Sequence, residues 1–167
     1  MSRLRAAALV VALLLVAASP ASASRQTECD PFAERACLMP FPNDMNLTVL
    51  DRSTPTQRRV KLPPAAMIRN KDGVAADTTE WNRADGFSPG QSLVVRVPGL
   101  TSERAARRSK LTPVTDLARY RDRRASLVVI NARTFERQLV WAEVDVNNAP
   151  AGQRMLIIRP GKNFEEG

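Results

Sequence analysis

The chain has 167 residues, room for about one domain. It is 44% hydrophobic, 25% charged and 5% aromatic, with 7 Gly and 12 Pro, which excludes a collagen, a multi-pass membrane protein and a wholly disordered chain. The formal charge is +8 and there is no histidine, so Ser-His-Asp, Cys-His and His-ligated metal chemistry are excluded within this chain.

Residues 1–23 have the three parts of a secretory signal: Arg3 and Arg5, an uninterrupted apolar run over residues 6–18, then Ser19-Pro20-Ala21-Ser22-Ala23. Thirteen apolar residues at about 1.5 Å each span about 20 Å, short of the ~30 Å hydrocarbon core, so no retained transmembrane anchor is expected. Cleavage after Ala23 leaves 144 residues with 23 basic and 17 acidic groups. The expected location is therefore outside the cell or on the exterior of its envelope. Cys29 and Cys37, the only two cysteines, follow in the exported part and read as one disulfide pinning the N-terminal end, with a pair of free thiols as the alternative.

Residues 24–90 read as an irregular N-terminal arm with loops. Turn residues recur at Pro40-Phe41-Pro42-Asn43-Asp44, Pro63-Pro64, Lys71-Asp72-Gly73 and Ser88-Pro89-Gly90. Residues 58–62 alternate enough for a short strand. Asp77, with Glu80 three residues on, predicts a capping box at the start of a helix of one or two turns, stopped by Asp85-Gly86.

From residue 91 to 167 the pattern becomes β-rich, with strands predicted at 92–97, 127–131, 138–146 and 154–159. The third is the clearest, because Val140, Ala142, Val144 and Val146 share one face while Glu143 and Asp145 share the other. The fourth is apolar on both faces, as a strand central in a sheet should be. A hairpin loop is expected around residues 132–137. The predicted core is Leu93, Val95, Val97, Val128, Ile130, Val140, Ala142, Val144, Leu156 and Ile158, with Trp141 sealing one edge. Residues 160–167 read as a turn leading toward a further strand, which would leave an open pairing edge and points to a piece of a longer protein. The fold class is thus mainly β, an antiparallel sandwich-like domain with an irregular N-terminal arm.

Residues 101–124 carry eight basic and three acidic groups, with a helix start at Ser102. Arg104, Arg107, Arg108, Arg121, Arg123 and Arg124 form a candidate patch for an anionic envelope polymer, bound by charge neutralisation. The plainer account is a solvated face in an Arg-rich composition, 21 Arg to 4 Lys. Nucleic acid is not expected, since Tyr120 is the one aromatic in the stretch and no binding motif accompanies it. Trp81, Asn82, Arg83 and Asp85 form a candidate ligand loop, with a stacking face, donors and acceptors. The alternative is a structural corner in which Asp85-Gly86 turns the chain and Trp81 and Phe87 plug the end of the domain. Glu143, Asp145 and Asn147 offer oxygens for Ca²⁺, but three alternating strand residues span about 13 Å, so a solvated polar face is the better reading. No catalytic, cofactor-binding or metal-binding residue is assigned.

The strings CLMPFPNDMN, RRVKLP, EWNRADGFSPG, VPGL, PVTDLAR, WAEVDVN and RMLIIRP occur in this order. Together they resemble the N-terminal region of large secreted bacterial proteins of the virulence-factor-lipase N-terminal type, over residues 29–167. The most specific piece is Trp81-Asn82-Arg83 followed by Asp85-Gly86-Phe87-Ser88-Pro89. The resemblance implies a β-rich, immunoglobulin-like module that is not itself catalytic, followed in the parent protein by a C-terminal domain that in some members is an α/β-hydrolase. There is no G-x-S-x-G elbow here, so no catalytic residue is carried over. Three functions follow as expectations: a secreted non-catalytic module of a larger protein, the N-terminal piece of a secreted lipase or esterase, or an autonomous cationic envelope-binding protein.

Overall fold

The computed structural model describes residues 38–147 and 150–166. Cys29, Cys37 and the signal segment lie outside the described residues. Helices are few and short, and the strands are antiparallel in two small sheets.

The first sheet is built between residues 44 and 60. Asn43 caps helix α1 (Asp44–Leu47), its side-chain oxygen accepting the Asn46 N–H at 2.8 Å. This single turn buries Leu47 completely and delivers the chain into β1 (Thr48–Leu50). β1 pairs with β2 (Arg58–Val60) in the register Thr48↔Val60, Val49↔Arg59 and Leu50↔Arg58. The expected strand at 58–62 is therefore present but shorter, Arg58–Val60; Lys61 N–H still bonds to the Leu47 carbonyl at 2.8 Å in the same register, and Pro63-Pro64 then take the chain out of the ladder. The connection is tightened by Asp51, whose carboxylate accepts Ser53 N–H and Oγ–H on one oxygen and Arg59 Nε–H on the other. Those hydrogen bonds, Ser53 first and Arg59 next, lower the Asp51 pKa to about 2.

The second sheet has the order β3-β5-β4, made of β3 (Leu93–Val95), β4 (Val140–Val144) and β5 (Leu156–Pro160). Val140, Ala142 and Val144 are buried while Trp141 and Glu143 lie on the other face, as the alternation required. β5 is central, in agreement with its two-faced apolar pattern, and is paired along both edges. The open edge expected beside it is thus occupied. After it, residues 161–166 form no strand; Gly161 N–H bonds to the Leu139 carbonyl and Phe164 N–H to that of Pro89.

One face of this sheet carries the main core. Val140, Ala142, Val144, Leu156 and Ile158 pack with Leu100, Ala105 and Leu111. Each fully buried aliphatic side chain contributes about 1.5–3 kcal/mol relative to exposure. Helix α2 (Glu103–Arg108) covers part of that face and begins where expected, with Ser102 Oγ accepting the Ala105 N–H at 3.1 Å. Leu93 and Val95 pack at its margin, but Val97 is exposed.

The run 127–131 corrects the expectation most. It forms no strand, only an isolated bridge Ile130↔Arg137, with Gln138 N–H bonded to the Val129 carbonyl at 2.8 Å. Leu127 and Val129 pack on the core, whereas Val128 and Ile130, expected inside, are 41% and 51% exposed. Four consecutive apolar residues offer two equivalent faces, and the partner at Arg137-Gln138 selects between them; a shift of one residue inverts every side chain. The loop at 132–137 does turn the chain back, closed by Asn131 N–H to the Glu136 carbonyl and Phe135 N–H to the Asn131 carbonyl.

Candidate functional site

The predicted helix after Asp77 is one 3₁₀ turn, Trp81–Arg83, with no side-chain cap. Asp77 does not form a capping box with Glu80. Its carboxylate instead accepts both the N–H and the hydroxyl of Thr79, an interaction that lowers its pKa. The turn nevertheless continues back one further step, since Asn82 N–H bonds to the Thr78 carbonyl at 2.9 Å.

This turn separates the four candidate ligand residues. Asn82 faces inward: its Oδ1 accepts Leu62 N–H at 2.7 Å, and its Nδ2 donates to Thr78 Oγ1 at 3.1 Å and to the Leu62 carbonyl at 3.4 Å. It clamps the segment after β2 to the turn. Arg83 pairs with Glu80 at 3.0 Å, and its carbonyl accepts Arg59 Nη1–H at 2.6 Å. Asp85 contributes its carbonyl to the Thr56 hydroxyl, while Ala84 contributes its own to Val60 N–H. Trp81 is turned outward, 55% exposed, and the Arg83 guanidinium with its Glu80 partner is exposed as well.

Beside Trp81 lies an open hollow of about 470 Å³, walled by Leu38, Phe41, Val60, Leu62, Met67, Ala84 and Phe87 with Glu80 at the rim. Phe41 and Phe87 meet edge to face, with ring centroids 5.6 Å apart. Phe41 also exchanges two backbone hydrogen bonds with Val94, at 2.8 and 2.7 Å. The hollow thus sits where the segment from residue 41 joins the two sheets. Phe87 belongs to the corner, as the structural alternative had it, whereas Trp81 does not plug it. The chemistry available is apolar and aromatic contact.

The basic stretch is divided. Arg107 pairs with Glu103 at 3.1 Å, and Arg121 donates to the Tyr120 hydroxyl at 3.0 Å with its guanidinium 5.3 Å from the ring centre. Arg119, outside the expected patch, pairs with Asp116 at 3.0 Å. Arg104, Arg108, Arg123 and Arg124 are exposed and have no carboxylate within 4 Å among the described residues. Arg137 fixes the turn that carries Arg121, donating to the carbonyls of Tyr120 and Asp122 at 3.3 and 2.6 Å.

Glu143 does not act with Asp145 and Asn147. It accepts Arg159 Nε–H at 2.8 Å, and the same guanidinium lies 5.4 Å from the centre of the Trp141 ring. Asp145 Oδ1 accepts the Asn147 N–H. Among the described residues no group of three acidic or thiol side chains is arranged to hold a metal ion. None of their helices is long and apolar enough to cross a membrane.

The arrangement beside β4 was not legible as a site. A groove of about 1040 Å³ runs between α2 with the segment after it and the outer edge of β4. Its lining includes Ala106, Arg107, Leu111, Val114, Trp141, Val146 and Arg159. The usable signal was Trp141, a large aromatic on the polar face of an alternating strand.

Comparison with family models, with curated proteins and with solved structures finds no match to this chain in any of the three.

Proposed function

We propose that the chain is an exported, non-catalytic β module of immunoglobulin-like type that works by presenting a contact surface within a larger secreted protein of the virulence-factor-lipase N-terminal type. The observation that carries this reading is Trp81, held outward beside an apolar hollow by a turn that the Asn82 side chain and the Arg83 carbonyl tie to the frame. A rigidly supported, half-exposed indole beside aliphatic walls matches the anchor of a protein contact, where aromatic side chains gain most from desolvation. The partner in this reading is an apolar side chain from the C-terminal domain of the same parent protein. A hydrolase activity, where the parent has one, then belongs to that domain.

The test uses N-phenyl-1-naphthylamine, a neutral apolar fluorophore, titrated into the chain with Trp141→Phe, which leaves Trp81 as the sole tryptophan donor. Saturable energy transfer from Trp81 is expected. Trp81→Ala should keep the fold and abolish saturable binding. Equal binding by folded Trp81→Ala would remove the surface, and turnover of 4-nitrophenyl butyrate by the purified chain would remove the non-catalytic reading.

A second reading, binding of an anionic envelope polymer, draws on the exposed Arg104, Arg108, Arg123 and Arg124. Its mark is retention on polyanion that falls steeply with salt and is lost when these four are neutralised. Retention unchanged by that neutralisation removes it.

A further inference from the structure

We infer that the outer edge of β4 is a docking site for an extended peptide segment of a partner protein, which adds a strand beside Val144 and places a basic side chain at Asp145. The inference concerns a different face from the Trp81 hollow and stands without it.

The hydrogen-bond alternation of β4 carries the argument. Gly161 N–H bonds to the Leu139 carbonyl, and Asp145 N–H to the Met155 carbonyl. With the β4–β5 register Trp141↔Arg159 and Glu143↔Ile157, residues 139, 141, 143 and 145 turn their main chain toward β5. Val140, Ala142 and Val144 therefore turn theirs outward. Ala142 N–H bonds to the Thr112 carbonyl at 2.9 Å, so that part of the edge is already covered. Val144 N–H has no acceptor among the described residues, and Val144 lines the groove that runs along this edge. An unpaired strand-edge amide is a ready template for the main chain of a further strand.

The surroundings fit an added strand. The groove at this edge runs between β4 and α2 and is about 1040 Å³, room for several extended residues. Its apolar lining by Ala106, Leu111 and Val146 offers places for alternate side chains of a strand, whose main chain supplies the hydrogen bonds. The charges give the complement. Of the cations in the lining, Arg107 is paired with Glu103, Arg119 with Asp116 and Arg159 with Glu143, whereas Asp145, also lining the groove, has no cationic partner within 4 Å among the described residues. An incoming Lys or Arg therefore meets one unneutralised carboxylate. The same feature disfavours a second copy, since edge-to-edge pairing of two β4 strands would bring their Glu143 and Asp145 carboxylates into proximity.

The experiment pans a displayed library of random heptapeptides on the full chain. Enriched peptides are then resynthesised as plain and alternately N-methylated forms. The expected result is enrichment of β-forming peptides with a Lys or Arg. Binding by a plain form should quench or shift Trp141 fluorescence in Trp81→Phe and slow amide exchange at Val144 at least tenfold. N-methylation on the hydrogen-bonding edge should weaken binding at least tenfold, and Asp145→Lys should weaken it similarly while leaving the circular dichroism unchanged. Asp145→Asn, a milder change, serves if the lysine variant does not fold. No enrichment, equal binding by every N-methylated form, or binding indifferent to Asp145 would overturn the proposal. Slowing of Val144 exchange with protein concentration alone, without peptide, would assign the edge to a second copy and overturn it as well.

Discussion

Asn82→Ala tests whether the turn bearing Trp81 is a built support. The substitution deletes an acceptor 2.7 Å from Leu62 N–H and two donors, to Thr78 Oγ1 at 3.1 Å and to the Leu62 carbonyl at 3.4 Å. The short bond is the significant one, because Leu62 is half-buried and its N–H would be left without a partner, at a cost of about 1–2 kcal/mol. The longer contacts add less, since the Thr78 hydroxyl can rotate and a 3.4 Å contact is weak; together they bring the loss to about 2–3 kcal/mol. With a urea slope of about 2 kcal/mol/M, the midpoint should fall by about 1 M. Asn82→Asp keeps the acceptor and loses the donors, so its fall should be about half as large. Urea denaturation followed by far-ultraviolet circular dichroism and by Trp81 emission in Trp141→Phe measures both. A fall below about 0.3 M for Asn82→Ala, or a larger one for Asn82→Asp, would refute the assignment of the clamp to the Leu62 N–H bond.

Three further outcomes are expected. The Asp51 carboxyl has its pKa lowered from 3.8 to about 2, so the stability it contributes is fully present above pH 4 and is lost as pH falls through about 2; Asp51→Asn should flatten that part of the urea-midpoint profile, and an unchanged profile would contradict the Ser53 and Arg59 bonds. Leu127→Ala and Val129→Ala should each cost about 1–3 kcal/mol, while Val128→Ala and Ile130→Ala stay within about 0.5 kcal/mol; the reverse order in thermal melts would restore the opposite facing. A Cβ on Gly161 would stand 2.7 Å from Leu139 Cγ, so Gly161→Ala should cost about 1–3 kcal/mol, and a double-mutant cycle with Leu139→Ala should recover part of it; full additivity would place the strain elsewhere.

The alternation of residues 140–146 was a sufficient guide to β4 because only one of its faces is apolar, so burial admits a single orientation. The central place of β5 was legible for the complementary reason, Leu156-Ile157-Ile158 being apolar on both sides. Residues 127–130 defeat the same reasoning. With Leu, Val, Val and Ile in succession, either pair can go inward at nearly equal gain in buried area, and the choice falls to the hydrogen bond between Gln138 N–H and the Val129 carbonyl. β1 is shorter than any periodic signal can register: three residues become a strand because α1 delivers them opposite Arg58–Val60.

The site was legible as a cluster of residue types but not as a division of labour. Trp81, Asn82, Arg83 and Asp85 are neighbours in sequence, and only pairing with distant segments decides what each does. Asn82 is taken up by Leu62, the Arg83 carbonyl by Arg59 and the Asp85 carbonyl by Thr56, all on the segment around β2. Each of those bonds removes a polar group from availability to a ligand, and together they fix the turn so that the indole remains outside. The β4 edge shows the converse. Its outward N–H at Val144 is identical in composition to any other strand amide, and it becomes distinctive only because the bond from Ala142 to Thr112 covers the position two residues earlier and none covers Val144 among the described residues. Backbone availability is a property of register, which side-chain composition encodes only through the strands it selects. The first proposed contact surface is therefore set by an indole that the frame leaves outside, and the second by a backbone group that it leaves unmatched among the described residues.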